Sequence, residues 1–550
     1  MSFKTRSAAL AVAQAALAIV ACSLIYDIPD ECVRDSDCIG IHGTETVCRS
    51  GLCVRSTEPP DGDADSDTDV DGDADVDGDP DGDADQDGDA DADHDVETDA
   101  DPEGDGDADA LTPEDLLTAE CPRIIGVDLE HALDDDVILL GALTPMTGDL
   151  AILGPYLEKA MELAIDEINS VGGVYGDEFA VIACDSSTDT AIAQTAAEHL
   201  VDVAGVQAII GPFSSGIVID VFNAVARDAG VILVSAGANA PVMSTISAEG
   251  LIWSTSLPAA RMAQAIAHHL IHEDFTRVGV VNRDDTWGND MRDAMEDVYC
   301  AERDCSAVAY LPRVYDVEDF VTSQSVALAE LVPFAPDVVV LISYIEDGIA
   351  FLTAAGYTPL TRMITPDGLR DEVTVELIPH QEVLCRLLGT SAAMPDARVF
   401  NAFSIRYQAR WGIGLVPYTA NQYDAVYMLA YAVSAAMADD GEVTGATIAA
   451  AMDRLSSGTE IETGSGDWNT GINALRSATG ATIDYVGASG DVDFIAGTGS
   501  VLTDVEAWHF NLDIGGPESL GSIYSIDGVY SPPNYDLATD DPVCDGVIPG

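Results

Sequence analysis

AIIGPFSSG, residues 208–216, passes from a short apolar run into Gly-Pro and then presents two hydroxyls and a second glycine. Ala208, Ile209 and Ile210 have the composition of a strand buried on both faces, and Gly211-Pro212 ends it. The next run, GIVIDVFNAVARDAG (216–230), spaces its apolar residues as a helix does. Strand, short loop and helix are the unit of a parallel α/β sheet, and the unit recurs on both sides. Upstream lie the strand DVILLGALTP (136–145), the helix 154–173, the strand EFAVIACD (178–185) and the helix 190–203. Downstream comes the strand VILVSAG (231–237). A second series starts near Pro258, with helices expected at 259–273, 288–299, 317–331 and 347–355. Its strands are RVGVVN (277–282), SAVAYL (306–311), DVVVLIS (337–343) and TRMIT (361–365). Neither series is completed by its own C-terminal half, which implies two Rossmann-like lobes with parallel sheets. Helices at 398–411, 421–437 and 444–456 then return to finish the first lobe.

The 550-residue chain carries a formal net charge of −75, which an ordinary surface cannot hold without heavy self-repulsion. Much of the charge is local. Residues 61–109 contain 23 Asp and 2 Glu, with aspartate at every odd position from Asp61 to Asp95. Such a chain repels nucleic acid and anionic lipid surfaces, which excludes both as direct partners. This stretch lacks aromatic residues and cannot offset its ordering entropy, so 58–118 reads as a disordered acidic linker. As a flexible coil it would span about 40 Å, and more under self-repulsion. Frames such as Asp73, Asp75, Asp77, Gly78 and Asp83, Asp85, Asp87, Gly88 resemble half of a calcium loop. Ala84 and His94 stand where the twelfth-position glutamate belongs, so weak Ca2+ association is expected rather than EF-hand binding. No other cofactor or metal is expected.

The N-terminus, residues 1–21, reads as a secretion signal: Lys4 and Arg6 precede the short apolar core SAALAVAQAALAIVA. Its end, IVAC, resembles the lipobox of bacterial lipoproteins. That resemblance implies cleavage before Cys22, a lipid anchor there, and a place in the cell envelope. Ser23 following the cysteine favours the outer membrane. No other stretch is apolar and long enough to span a bilayer. Ten further cysteines would then sit in an oxidising compartment. Cys32, Cys38, Cys48 and Cys53 crowd into a segment, 22–57, too poor in apolar residues for a core, and two disulfides would staple it. Cys300 and Cys305 form a local bridge. For Cys121, Cys184, Cys385 and Cys544 the pairing is open, a Cys121–Cys544 link being one way to join the ends of a domain at 119–550.

In open α/β sheets, ligands sit at the carboxyl ends of strands. Ser214 and Ser215 stand at such a place, where a hydroxyl either caps its own helix or meets a carboxylate. Loop chemistry alone does not choose between the two. Asn239 in SAGANAP either turns the chain before Pro241 or reaches a ligand. Asp367 in TPDG has turn composition, yet an acid at that position also suits an ammonium group. Together they describe a clamp for a zwitterion. Enzymatic patterns fail: GPFSSG is not a nucleophile elbow, and no histidine can be assigned to a serine. His268, His269 and His272 share a helix but lack the glutamate of a zinc motif, so solvation is expected. TGSGDWNTG (463–471) follows no strand and reads as an irregular surface loop.

From about 135 to 515 the chain resembles the periplasmic type I binding proteins for leucine, isoleucine and valine. The resemblance rests on ILLGALTPMTGDLAILGPYLEKAMELAIDEINSVGGVYG, AIIGPFSSG, ILVSAGANAPVM, RVGVVNRDDTWG, YDAVYMLAYAV and YVGASGDVDFIAGTGSV, in that order. It implies a Venus flytrap: two lobes joined by a three-strand hinge, closing on a free amino acid. Lobe 1 would comprise about 135–256 and 395–500, lobe 2 about 257–394 and 501–515. It also implies roles. Ser215 would hold the ligand carboxylate, the Gly237 carbonyl and Asn239 would grip the ammonium, Asp367 would neutralise it, and Tyr344 would line the pocket. Asn239 stands in place of the usual threonine, Asp367 is one methylene shorter than the usual glutamate, and Leu153 replaces an aromatic. The implied role is delivery of an amino acid or similar small polar solute to an ABC permease, by binding rather than catalysis. A surface-tethered sensor or interaction protein on the same fold is the alternative.

Overall fold

The computed structural model describes residues 46–49, 52–55, 111–356, 362–393, 397–439 and 441–533. It divides into two compact units, Met1–Glu103 and Gly104–Gly550. In the first, β1 (Thr46–Arg49) and β2 (Leu52–Arg55) form an antiparallel hairpin with Cys48 opposite Cys53. Cys22, Cys32, Cys38, the signal-like start, the acidic repeats with their calcium-like frames, and Cys544 lie outside the described residues.

The second unit holds two large sheets and a two-stranded one. The first contains β3 (Arg123–Ile125), β4 (Val137–Thr144), β5 (Glu178–Asp185), β6 (Ala208–Ile210), β7 (Ile232–Ser235) and β8 (Ile252–Ser254). Their order is β3-β5-β4-β6-β7-β8, parallel throughout except for β3 on β5. The second sheet takes β9 (Val278–Arg283), β10 (Tyr310–Tyr315), β11 (Val338–Ile342), β12 (Met363–Thr365) and β13 (Leu387–Ala392). A small parallel pair follows, β14 (Thr459–Glu462) and β15 (Ile483–Val486), whose Ile461 and Ile483 join the first lobe's core. The chain then re-enters the second sheet as β16 (Val505–Asn511) and β17 (Gly516–Tyr524), both antiparallel, and so runs past residue 515. The order is β10-β9-β11-β12-β13-β16-β17. Apart from the edge strand β3, the strands of each sheet start in its interior, step to one side and then cross to the other. The reversal opens a crevice beyond β4 and β6 in one lobe and beyond β9 and β11 in the other. The chain changes lobes after β8, after β13 and before β16. Hydrogen bonds tie these crossings together, Ser254 N to Gly499 O at 2.7 Å and Ala393 N to Asp504 O at 2.8 Å.

The helix Thr419–Asp439 completes the first lobe and is buried on all sides from Gln422 to Ala436. Tyr423, Tyr427 and Tyr431, four residues apart, line one face against Phe403, Trp468 and Tyr485, with ring centroids 4.6 to 6.4 Å apart where they meet. Their polar ends are provided for: Tyr423 and Tyr427 donate to Glu167, which also accepts from Arg406. Asp424 accepts from Tyr485, from the Ala488 and Ser489 amides and from the Ser489 hydroxyl, yet full burial still raises its carboxyl to about 6.

Several expectations need correction. The strand placed at 306–311 lies at Tyr310–Tyr315, because residues 306–309 turn after the Cys300–Cys305 disulfide. Pro312 is tolerated there because β10 is an edge strand. Ordered structure begins before 119: Pro113–Leu116 form a turn in which Thr112 and Asp115 cap each other, and Leu116 is fully buried. Cys121 pairs with Cys184, pinning β3 to β5, and not with Cys544; Cys385 is disulfide-bonded as well. His269 is buried rather than solvated, its Nδ1 2.8 Å from the Tyr530 hydroxyl, while His268 stacks on Tyr524. Among the described residues no acidic, His and Cys group could hold a metal, and no helix is long and apolar enough to cross a membrane.

The stretch TGSGDWNTG is not a surface loop. It opens the helix Ser465–Leu475, whose Trp468, Ile472 and Leu475 share one buried face, and Trp468 Nε1 donates to Gly173 O at 2.9 Å. Trp468→Ala should therefore cost about 3–5 kcal/mol of stability, read as a lowered urea midpoint at unchanged m-value. A loss under about 1 kcal/mol would show that this helix contributes little to the core.

Candidate functional site

The carboxyl ends of the two sheets face each other across a cleft. Six of the seven expected residues line it: Leu153, Ser215, Gly237 and Asn239 from the first lobe, and Tyr344 and Asp367 from the second. Ser214 does not. It occupies the N-cap of the helix Ser215–Val221 without a capping bond, and its hydroxyl lies against the Tyr344 phenol across the lobes.

The first-lobe wall is built by two serines. Ser215 Oγ accepts from the Asn239 and Ala240 amides at 3.1 Å each. Ser235 Oγ accepts from the Gly237 and Ala238 amides at 3.3 and 2.9 Å. The loop 237–240 is thereby held down, and the Ser215 hydroxyl keeps its own proton to give. Glycine is required at 237 because the Phe213 ring lies on the backbone; a Cβ there would stand 2.3 Å from it. Asn239 is 4% exposed, and its Oδ1 has no hydrogen-bond partner.

Asp367 opens the turn after β12. Its Oδ2 accepts from the Tyr418 hydroxyl at 2.5 Å, a contact between lobes, while Oδ1 is closed off from solvent with no partner. Burial pushes this carboxyl above the usual range, and the Tyr418 hydrogen bond offsets part of the shift. Tyr418 directly precedes the helix Thr419–Asp439 and holds a φ of 68°, a conformation that side-chain-bearing residues seldom adopt. Its ring meets Phe213 edge-on at 5.1 Å, and the Asn239 amide lies against its hydroxyl.

Tyr344 caps the helix Ile345–Ala355, with Trp287 at 5.2 Å between centroids. The Arg283 guanidinium lies 3.5 Å from the Tyr344 ring centre. Arg283 ends β9 and is engaged by Asp285, by Asp347 at 3.0 Å and, across the lobes, by Asp149 at 3.3 Å. Asp290 adds another link between lobes by accepting from the Val242 amide at 3.2 Å. The sequence reading missed Phe213, Trp287, Tyr418 and the Arg283 hub. Trp287 and Arg283 carried a visible signal, since NRDDTWG follows a strand as directly as GPFSSG does. Nothing local marks Tyr418, which arrives with a helix that returns from the other lobe.

The sequence pattern of the periplasmic binding protein family matches residues 137–484. Leu/Ile/Val-binding protein homolog 8 of Brucella abortus is 29% identical over 279 residues, 47% of this chain and 66% of that protein. Leu/Ile/Val-binding protein homolog 7 of the same organism is 28% identical over 263 residues, 45% of this chain and 63% of that one. The chain thus spans just under two thirds of the length of these relatives. The branched-chain amino acid transporter substrate binding protein LivJ from Streptococcus pneumoniae, in complex with isoleucine, superposes with a TM-score of 0.56 at 19% identity, covering 70% of this chain and 99% of that one. A solute binding protein from R. palustris in complex with benzoate gives 0.55 at 16% identity, covering 72% and 98%. At these identities the structural likenesses concern the fold. With two facing lobes, a cleft between their strand ends and a family pattern over more than half its length, the chain belongs to the periplasmic binding protein family.

Proposed function

We propose that this chain is an extracytoplasmic solute-binding protein that captures an amino acid or similar small polar solute between its lobes and delivers it to an ABC importer. One observation carries the reading: the cleft presents two unpartnered acceptors, Asn239 Oδ1 and Asp367 Oδ1. A buried carboxylate with no cation is costly, and an ammonium group supplies the charge together with three donors. The Ser215 proton is available to a ligand carboxylate, and Leu150, Leu153, Phe213, Trp287 and Ile345 give its side chain apolar walls. The contacts of Tyr418 with Asp367 and of Asp149 with Arg283 bridge the lobes, so closure strengthens around whatever occupies the cleft. A lipid on Cys22 and the acidic stretch behind it would tether this domain to the envelope. The likeness in fold to a branched-chain amino acid transporter substrate binding protein supports delivery as the role.

Titration with leucine should raise the melting temperature in proportion to the logarithm of its concentration, because it binds only the folded state. Asp367→Ala should remove that shift. A variant that retains it would place the ammonium elsewhere.

The pH dependence has a definite sign. Only ionised Asp367 pairs with an ammonium, and burial has raised its pKa, so protons compete with ligand at higher pH than for an exposed aspartate. Affinity by calorimetry should be level above that pKa and fall about tenfold per pH unit below it, with protons released on binding. A level profile down to about pH 4 would exclude Asp367 as the partner.

A further inference from the structure

Cys385 is 4% exposed and disulfide-bonded, and the two bridges already described in its unit, Cys121–Cys184 and Cys300–Cys305, do not use it. The unit Gly104–Gly550 contains one further cysteine, Cys544. The described residues end at 533, eleven short of it, and the last of them already have a direction. β17 is an edge of the second sheet. Beyond it the chain turns, with Ser525 N donating to Val529 O at 3.0 Å, and then doubles back. Tyr530 bridges Tyr524 in the antiparallel sense, and Ser531 N donates to Ile523 O at 2.8 Å. The rings of His268 and His272 flank Tyr530, and His269 meets its hydroxyl. The returning chain is thereby fastened to the helix Ala259–His272 near its C-terminal end.

That course leads toward Cys385. Continued antiparallel along β17, the chain would draw level with Gly516 by about residue 538. Gly516 lies opposite Asn511, and the strand that follows Cys385 enters the same end of the sheet, with Leu388 opposite His509. Only β16 separates β17 from β13, so about 10 Å of sheet lies between them. The six or so residues left before Cys544 reach about 20 Å when extended. Pro532 and Pro533 favour such an extended backbone. Two apolar side chains are exposed at that end: Ile514, in the turn between β16 and β17, and Leu377, which ends the helix Glu372–Leu377 packed against β17.

We infer that Cys385 and Cys544 form a further disulfide of this unit, and that residues 534–544 are a strap along the free edge of β17. Closing the bond takes one proton and one electron from each thiol; both pairs pass to the disulfide of a thiol oxidant of the cell envelope, which leaves as two thiols. The strap occupies backbone groups that an uncovered edge offers to other chains. It also brings Leu537 and Val543 to the end of the sheet where Ile514 and Leu377 are exposed. Because the bond joins the residues entering β13 to the chain leaving β17, the two antiparallel strands added after the last crossing cannot peel away from the parallel part of the sheet.

Tryptic digestion of the oxidised full chain without reduction, followed by mass spectrometry, tests the bond. Cleavage after Arg370, Arg386 and Arg476 places Cys385 in 371–386 and Cys544 in 477–550, each the one cysteine of its peptide. The two should appear as a single linked mass that reduction separates. Cys385 linked to a cysteine of residues 1–103, or either residue found as a free thiol, overturns the inference. Residue-resolved hydrogen exchange on the same chain tests the course of the strap. Successive amides of 518–523 should all exchange slowly, whereas an uncovered edge leaves every second one fast. Fast alternate amides together with the linked peptides would keep the bond and overturn the strap's place on β17. Cys544→Ser should speed exchange in this strand and lower the melting temperature by about 3 °C. Should that variant not fold, the two measurements on the unaltered chain decide both halves of the inference.

Discussion

Burial of the helix Thr419–Asp439 is the constraint on which the rest of the architecture depends. A helix apolar around its whole circumference has no stable place at a surface, so the chain must leave the second lobe and return to enclose it in the first. That return is the second of the three crossings between lobes. Asp424, gripped by the 488–489 loop, fixes the helix against the segment that leads into the third. The same burial delivers Tyr418, the residue before the helix, to the mouth of the cleft, where it meets Asp367 of the opposite lobe. Core packing and site assembly are therefore one event.

The electrostatics of the cleft divide into a satisfied half and an unsatisfied half. Arg283 is buried, yet it is surrounded by carboxylates from its own strand end, from the helix Ile345–Ala355 and from the first lobe, and a phenol ring lies against it. Removing any one partner would leave the others to hold the charge. Asp367 is the opposite case: burial raises its pKa, the Tyr418 hydroxyl, its own backbone amide and the charge of Arg370 offset only part of the rise, and its Oδ1 accepts no hydrogen bond. The first arrangement is a structural link between lobes. The second is unsatisfied by the protein alone, and that asymmetry is what makes it a binding feature.

Much was legible from local pattern. Apolar runs alternating with helical spacing identify parallel sheets, and the rule that ligands gather at strand ends singles out Ser214, Ser215, Asn239 and Asp367; the structure brings the last three to one cleft, together with Tyr344, which only the family resemblance implied. Errors arose where local pattern competes with long-range packing. Glycines made 463–471 read as a loop, although Trp468 needs a helix to reach its buried place. SAVAYL has strand composition, but the preceding disulfide consumes those residues in a turn. Three histidines read as solvated because nothing nearby announces that Tyr530, far along the chain, covers one of them.

By itself the sequence determined the alternation of elements, the two-lobed plan and the polar residues placed at strand ends, because these follow from hydrophobic periodicity and loop chemistry within a few residues. The tertiary structure alone decided which donors and acceptors remain free. Ser215 spends its lone pairs on the 237–240 loop, Tyr418 spends its proton on Asp367, and Arg283 is claimed by three carboxylates. Hydrogen-bond satisfaction depends on which groups fold to within about 3 Å of one another. Residues 24 to 134 positions apart in the chain settle that only when the chain folds.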